Sequence, residues 1–170
     1  MTVMMSKGAA LAVAIGIGAA IAAGGALAHD DPKPKGKMSA AAHAAHLRHE
    51  NFEKLGAAFK TVVDETRKSD PDKALVARST KTMATLATGL PSWFPRGSGV
   101  EARAKSEAKA NIWTDAAGFS AVASAMQVQV SKLNQIAMAG DMAGVRAQIR
   151  ATGGSCKGCH DKYRQEKKKS

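Results

Sequence analysis

The sequence Cys156-Lys157-Gly158-Cys159-His160 holds both cysteines of this chain of 170 residues. Residues three apart on a helix lie on one face, so the two thiols can attach to one edge of a single planar cofactor. C-x-x-C-H is the attachment signature of c-type heme, in which the two thiols form thioethers and the histidine ligates the iron. We therefore predict one covalent heme c, bound through Cys156 and Cys159, with His160 as the metal ligand.

Two other kinds of site use paired cysteines. A thioredoxin-like redox pair opens a helix that follows a strand, whereas this pair lies near the end of a chain without strand patterns. A zinc site needs two further ligands, which His43, His46 and His49 offer at a spacing that better suits a polar helix face. Both remain alternatives to heme.

Residues 1–28 have the pattern of a secretory signal peptide. Lys7 precedes an apolar run that ends in Ala26-Leu27-Ala28, a small-x-small triplet of the kind that signal peptidase cleaves. A retained membrane anchor is the alternative, but the run is rich in Ala and Gly rather than in Leu, Ile and Phe. We expect cleavage after the triplet, export to the periplasm, and a mature chain that does not stay in the membrane.

The formal net charge of the chain is +11. The basic residues are spread along the sequence, and only Lys167-Lys168-Lys169 forms a block, so we do not expect nucleic acid as a partner. A solvated basic surface favours the steering of an acidic redox partner protein instead.

The pattern of apolar residues predicts an all-α domain over residues 39–170. Apolar residues recur at helical spacing in four segments, which are about 40–68, 71–90, 115–139 and the stretch from Met142 through the cysteines. Ser39 and Asp115 are expected to cap the first and third helices, and Gly153-Gly154 predicts a weak point in the fourth.

The connections between these segments predict how they pack. Residues 29–38 are expected to form a flexible arm, and Pro91–Asn111 a long irregular connection. No segment alternates apolar and polar residues, so we expect no sheet. The other connections are short, which favours an antiparallel four-helix bundle with the heme in its interior.

The sequence resembles the class II cytochromes c, and specifically the cytochrome c′ family. The resemblance covers residues from about 40 to 170 and is carried by four motifs: the C-x-x-C-H-x-x-Y-R run that ends at Tyr163-Arg164, the I-W segment at Asn111-Ile112-Trp113, the loop from Leu90-Pro91 to Gly99, and Arg48 followed four residues later by Phe52.

The resemblance implies a five-coordinate, high-spin heme that binds nitric oxide and carbon monoxide and discriminates against dioxygen. It also implies a periplasmic protein that is commonly a homodimer. Phe52 would lie over the distal face, where a phenyl ring has no lone pair for iron and no donor for bound dioxygen. The first helix of many members carries Gln where this chain has His49, so the resemblance implies that His49 contacts the propionate edge of the cofactor.

Three further residues are expected near the cofactor. Arg48 would bind a heme propionate through its guanidinium. Arg164 is placed by the family pattern beside the imidazole of His160, and Glu107 is a candidate contact at the heme edge. No convincing base, nucleophile or substrate pocket is recognisable, so we do not predict an enzyme.

The alternative function is that of a low-spin class II electron carrier. Those relatives have Met at the position of Phe52, and the predicted first helix, from Ser39 to Lys68, contains no Met. The absence of this ligand weakens the alternative without removing it.

The targeting segment and the paired cysteines make a prediction about mass. The mature protein should lack residues 1–28 and be heavier by one heme, because thioethers survive denaturation. Intact mass spectrometry after acid–acetone extraction measures both changes. Heme that extracts freely into the solvent would contradict covalent attachment.

Overall fold

A computed structural model describes residues 37–166, most of which lie in four long helices. The helices in chain order are α1 (Ala40–Thr66), α2 (Lys73–Gly89), a 3-10 helix (Leu90–Trp93), the single turn α3 (Asn111–Thr114), α4 (Ala116–Met138) and α5 (Met142–Tyr163). Within this range the only β-type pairing is an isolated bridge between Ala108 and Arg164. The predicted signal peptide and nearly all of the predicted arm lie outside the described residues.

The long helices form the predicted all-α four-helix bundle. α1 packs along α2, α2 along α4, and α4 along α5, whereas α1 and α5 contact each other much less closely. None of the helices between residues 37 and 166 has the length and apolar character needed to cross a membrane.

Each long helix begins after a side chain that accepts a hydrogen bond from a backbone N–H of the first turn. These capping residues are Ser39, Asp72, Asp115 and Asp141. The predicted caps Ser39 and Asp115 are thus confirmed. The prediction that α2 begins at Pro71 is wrong by two residues, because Asp72 is its cap. Gly140 has φ 73°, a conformation that favours glycine, and it makes the predicted break between α4 and α5.

The predicted weak point at Gly153-Gly154 is wrong, because α5 continues through both glycines. A Cβ atom on Gly153 would lie 3.6 Å from the ring of Phe59, so this part of α5 packs directly on α1. One turn earlier, Gln148 is buried and its Nε2 donates to Gln129 Oε1 on α4 at 2.7 Å. These tertiary contacts outweigh the low helix propensity of two glycines.

The core follows the apolar stripes that the sequence predicts. The buried apolar side chains of the long helices are Ala45, Leu55 and Val62 of α1, Val76, Met83 and Ala87 of α2, Phe119, Ala123, Met126, Val130, Leu133 and Ala137 of α4, and Met142, Val145 and Tyr163 of α5. Phe52 and Phe59 of α1 and both cysteines of α5 pack against this core but are only half-buried. We call this group of four residues the α1–α5 seam.

The end of α5 is joined to the start of α4 through Asp115. Its carboxylate accepts a hydrogen bond from Tyr163 Oη at 2.7 Å and pairs with Lys162 Nζ at 2.8 Å. Hydrogen bonds from Lys162, Tyr163 and the Gly118 N–H lower the pKa of Asp115 to about 2. One ionised carboxylate therefore caps α4 and holds the last turn of α5.

Gly118→Ala tests this junction, and Gly154→Ala is its control. In Gly118→Ala the new Cβ would lie 2.6 Å from Tyr163 Oη and from Asp115 Oδ1, so we expect a loss of about 1–3 kcal/mol in the free energy of unfolding. Gly154→Ala meets nothing within 4 Å and should stabilise α5 by about 0.5–1 kcal/mol. Urea unfolding of the holoprotein measures both. Equal effects in the two variants would show that the junction tolerates a methyl group.

Candidate heme site

The two cysteines of α5 are half-buried, unpaired thiols that pack against the hydrophobic core. Burial raises the pKa of both thiols, and a side-chain hydrogen bond with Ser155 opposes the rise only for Cys156. A redox-active cysteine pair needs a lowered thiol pKa. The environment of Cys156 and Cys159 therefore argues against a thioredoxin-like site.

His160 follows the second cysteine and lies exposed at the surface of α5. Partial desolvation of the imidazole lowers its pKa, and the positive charge of Arg164 lowers it further. Both influences favour the neutral ring, which is the form that binds a metal ion. The side chain is thus suited to act as an axial ligand.

Arg164 and Glu107 form an ion pair next to this histidine. Arg164 Nε and Nη2 lie 2.6 and 2.5 Å from the same oxygen of Glu107. The backbone supports the pair, because the Gln165 N–H donates to the Glu107 carbonyl at 2.7 Å. The positive charge of Arg164 lowers the pKa of His160, as expected of a nearby cation. The contact of Glu107 with the heme edge stays a prediction.

Aromatic rings surround Phe52 on the other side of the seam. Its ring makes edge contacts with Trp93 at 5.2 Å and Phe94 at 6.2 Å between centroids. The cluster continues from Phe94 to Phe119 at 4.8 Å and from Phe119 to Tyr163 at 5.2 Å. These contacts link the candidate distal residue to the end of the helix that carries His160.

Arg48 is buried one turn before Phe52, with 5 % of its surface exposed. Its Nη1 donates to the Trp93 carbonyl at 3.2 Å and to Ser98 Oγ at 2.9 Å. Its Nη2 donates to the Ser98 carbonyl at 2.6 Å and to Ser106 Oγ at 3.1 Å. The pKa of Arg48 is lowered to about 10, chiefly because the guanidinium is buried. The side chain therefore keeps its charge near neutral pH. The propionate contact expected for it stays a prediction.

Sequence reasoning missed the two serines that bind Arg48. Ser98 lies in the recognised loop motif, but nothing in its local pattern relates it or Ser106 to a residue about fifty positions earlier. A buried arginine needs hydrogen-bond acceptors, so the polar residues in the middle of the loop were the feature of the sequence that could have indicated these serines. Their roles became evident only from the fold.

The first-helix histidines lie on the polar face of α1. His46 pairs with Glu50 at 3.2 Å and His49 with Glu53 at 3.1 Å, and all four side chains are substantially exposed. Among residues 37–166, no three His, Cys, Asp or Glu side chains gather into a group that could hold a metal ion. The proposed contact of His49 with the cofactor stays a prediction.

The α1–α5 seam suits a covalently attached planar cofactor. Both thiols and the imidazole come from one stretch of α5, and α1 supplies the apolar rings of Phe52 and Phe59. The seam lies between α1 and α5, which pack less closely than α1 does on α2 or α4 does on α5. The donor set of two thiols and one histidine is that of a c-type heme.

Comparison with known proteins agrees with this site. The family model described as Cytochrome C' matches residues 43–164. A curated relative, cytochrome c′ from Rubrivivax gelatinosus, is 33% identical over 72% of this chain and 95% of its own length.

Solved structures give the same result. The crystal structure of cytochrome c′ from Rubrivivax gelatinosus matches with a TM-score of 0.69 and 31% identity, covering 76% of this chain and all of that one. The nitric oxide complex of a leucine-to-alanine mutant of cytochrome c prime from Alcaligenes xylosoxidans matches with a TM-score of 0.68 and 28% identity over 77% of this chain and all of its own. The matched family model, the shared bundle and the paired cysteines show that this chain belongs to the cytochrome c′ family and carries one covalently bound heme c.

Proposed function

We propose that this chain is a periplasmic gas-binding cytochrome, with a five-coordinate, high-spin heme that binds nitric oxide and carbon monoxide. The observation that carries the proposal is the apolar surrounding of Phe52, whose ring contacts are with Trp93 and Phe94. The heme iron supplies the site at which the gas binds.

The residues proposed to attach the heme and to ligate its iron lie in the last two turns of α5. Cys156 and Cys159 attach it through thioethers, and the neutral imidazole of His160 ligates the iron. Arg164 lies beside that imidazole, and its pairing with Glu107 fixes where its positive charge acts. These contacts support a defined geometry on the proximal side.

Phe52 is proposed as the residue that faces the opposite side of the ring. A phenyl group offers no lone pair to iron and no hydrogen bond to a bound gas. Dioxygen on heme gains from a distal donor, whereas nitric oxide needs none, so an apolar distal face discriminates by withholding that donor. Arg48, one turn before Phe52 on α1, directs its terminal N–H groups to the loop. The Alcaligenes xylosoxidans relative has been solved as a nitric oxide complex.

The second candidate function is electron transfer by a low-spin heme. It would require a methionine sulfur in the place of Phe52, and α1 contains none. The three methionines that are buried between residues 37 and 166, Met83, Met126 and Met142, belong to the core formed by α2, α4 and α5. A redox partner protein stays a prediction on the basic charge of the chain.

Phe52→Met tests the distal assignment. A thioether would then lie over the iron, and Met is flexible enough to fill the space of a phenyl ring. The variant should shift toward a six-coordinate, low-spin spectrum, and carbon monoxide should bind more slowly because the sulfur must first leave. Resonance Raman spectroscopy and stopped-flow mixing measure these changes against the high-spin wild type.

Phe59→Met is the matched control, because Phe59 lies two turns further along the same face of α1, against Gly153. It should keep the wild-type spin state and carbon monoxide binding rate. Phe52→Ala should instead speed gas entry and destabilise the bundle by up to about 3–5 kcal/mol. If all Phe52 variants share the spin state and binding rate of the wild type, Phe52 is ordinary core.

We also propose that the protein is a homodimer through the outer faces of the first two helices. Leu47 of α1 is 41 % exposed and so offers an apolar side chain for such an interface. One solved cytochrome c′ with the same fold, 19% identical with a TM-score of 0.70, is described as showing ligand-controlled dimer dissociation.

Leu47→Glu should convert the dimer to a monomer, because two carboxylates would meet in an apolar contact. Val128→Glu, on the exposed face of α4, is the control and should stay dimeric. Sedimentation equilibrium at high micromolar concentration distinguishes the two states. A monomeric wild type would end the proposal.

A further inference from the structure

Arg48 carries a positive charge into the protein, and no carboxylate between residues 37 and 166 is hydrogen-bonded to it. Each of its two terminal nitrogens has two N–H groups, and the four hydrogen bonds described above use all of them. The guanidinium also lies 4.6 Å from the centroid of the Phe94 ring. A propionate that used the same fork would have to displace acceptors of the loop.

Three of the four acceptors belong to Ser98 and Ser106, which lie in the connection between the 3-10 helix and α3. Ser98 is fully buried and fixed from two sides, since its hydroxyl accepts from Arg48 and donates to the Pro95 carbonyl at 2.7 Å. Ser106 accepts from Arg48 and, at 3.3 Å, from the Ala108 N–H. One side chain of α1 thus holds a loop that has little regular structure of its own.

The loop residues next to this network are the neighbours of Phe52. The Trp93 carbonyl accepts from Arg48, and the Trp93 ring makes the closest aromatic contact of Phe52. Phe94 lies between the Arg48 guanidinium and the ring of Phe119, and its carbonyl accepts from Trp113 Nε1 at 3.0 Å. The position of the Phe52 ring therefore depends on a loop that Arg48 anchors.

We propose that Arg48 is a positioning residue: it anchors the loop through Ser98 and Ser106 and so holds Phe52 tightly over the distal face. This role rests on the proposed gas-binding function and deepens it. It differs from a propionate clamp, because Arg48 acts on the gas site through the loop rather than on the heme.

Ser98→Ala combined with Ser106→Ala tests the role, because it removes two acceptors and leaves Arg48 in place. In the holoprotein, hydrogen exchange of the amides of residues 94–106 should become about tenfold faster, since each hydrogen bond to a charged group is a strong one. Carbon monoxide should also bind about threefold faster or more, because a Phe52 ring that is held less firmly moves away from the distal face more often. Ser106→Ala alone should show the same two effects to a smaller degree if the double variant folds poorly.

Ser92→Ala is the matched control, because Ser92 is exposed and its hydroxyl donates to the carbonyl of Gly89, the last residue of α2, rather than accepting from Arg48. It should leave both quantities at the wild-type level. If Arg48 acts only as a propionate clamp, the double variant will also match the wild type, and the proposal is overturned. Faster exchange with unchanged gas binding overturns it as well, since the loop would then not control Phe52.

A wild-type protein that binds no carbon monoxide would refute the proposed function and not this network. The exchange comparison does not depend on gas binding, so it still decides whether Arg48 anchors the loop. If the amides of residues 94–106 exchange at the wild-type rate in the double variant, that result alone overturns the anchoring role.

Discussion

The carboxylate of Asp115 is the constraint on which the proximal half of the site depends. It caps α4 through the Gly118 N–H, accepts from Tyr163 Oη and pairs with Lys162. Because His160 lies one turn before Tyr163 on the same helix, the junction fixes where the imidazole stands relative to α4. The same three partners lower the pKa of Asp115, so the charge that makes the junction strong persists to low pH.

The opposite half of the site is organised by a buried charge. Removing a guanidinium from water is costly unless its donors are satisfied, and Arg48 meets this requirement with neutral carbonyls, hydroxyls and the face of Phe94. Moving the loop away from α1 would break the hydrogen bonds that the loop makes to that charge. An irregular segment is thereby tied to α1, and Phe94 of the aromatic cluster around Phe52 belongs to it.

The helices and their caps could be predicted because the signals are local. Ser39 and Asp115 are capping residues in any context, and apolar residues at helical spacing identify α1, α2, α4 and α5. The prediction of a weak point at Gly153-Gly154 was wrong because helix propensity is a local property that does not include the packing of α5 on Phe59 and α4. The cysteines and His160 were recognisable from their spacing, whereas Ser98 and Ser106 contact Arg48 only through the tertiary fold, which no local pattern records.

The aromatic cluster also gives the protein a built-in optical signal. The chain has two tryptophans. Trp93 contacts the ring of Phe52 in the α1–α5 seam, and Trp113 donates to the carbonyl of Phe94, which also contacts Phe52. Energy transfer to a nearby porphyrin quenches indole emission, so every fluorophore of this kind lies where it reports on the seam. Tryptophan emission should therefore be strong in chains that still lack the heme and weak in chains that carry it. Heme attachment can thus be followed by tryptophan fluorescence in extracts that contain mostly this protein.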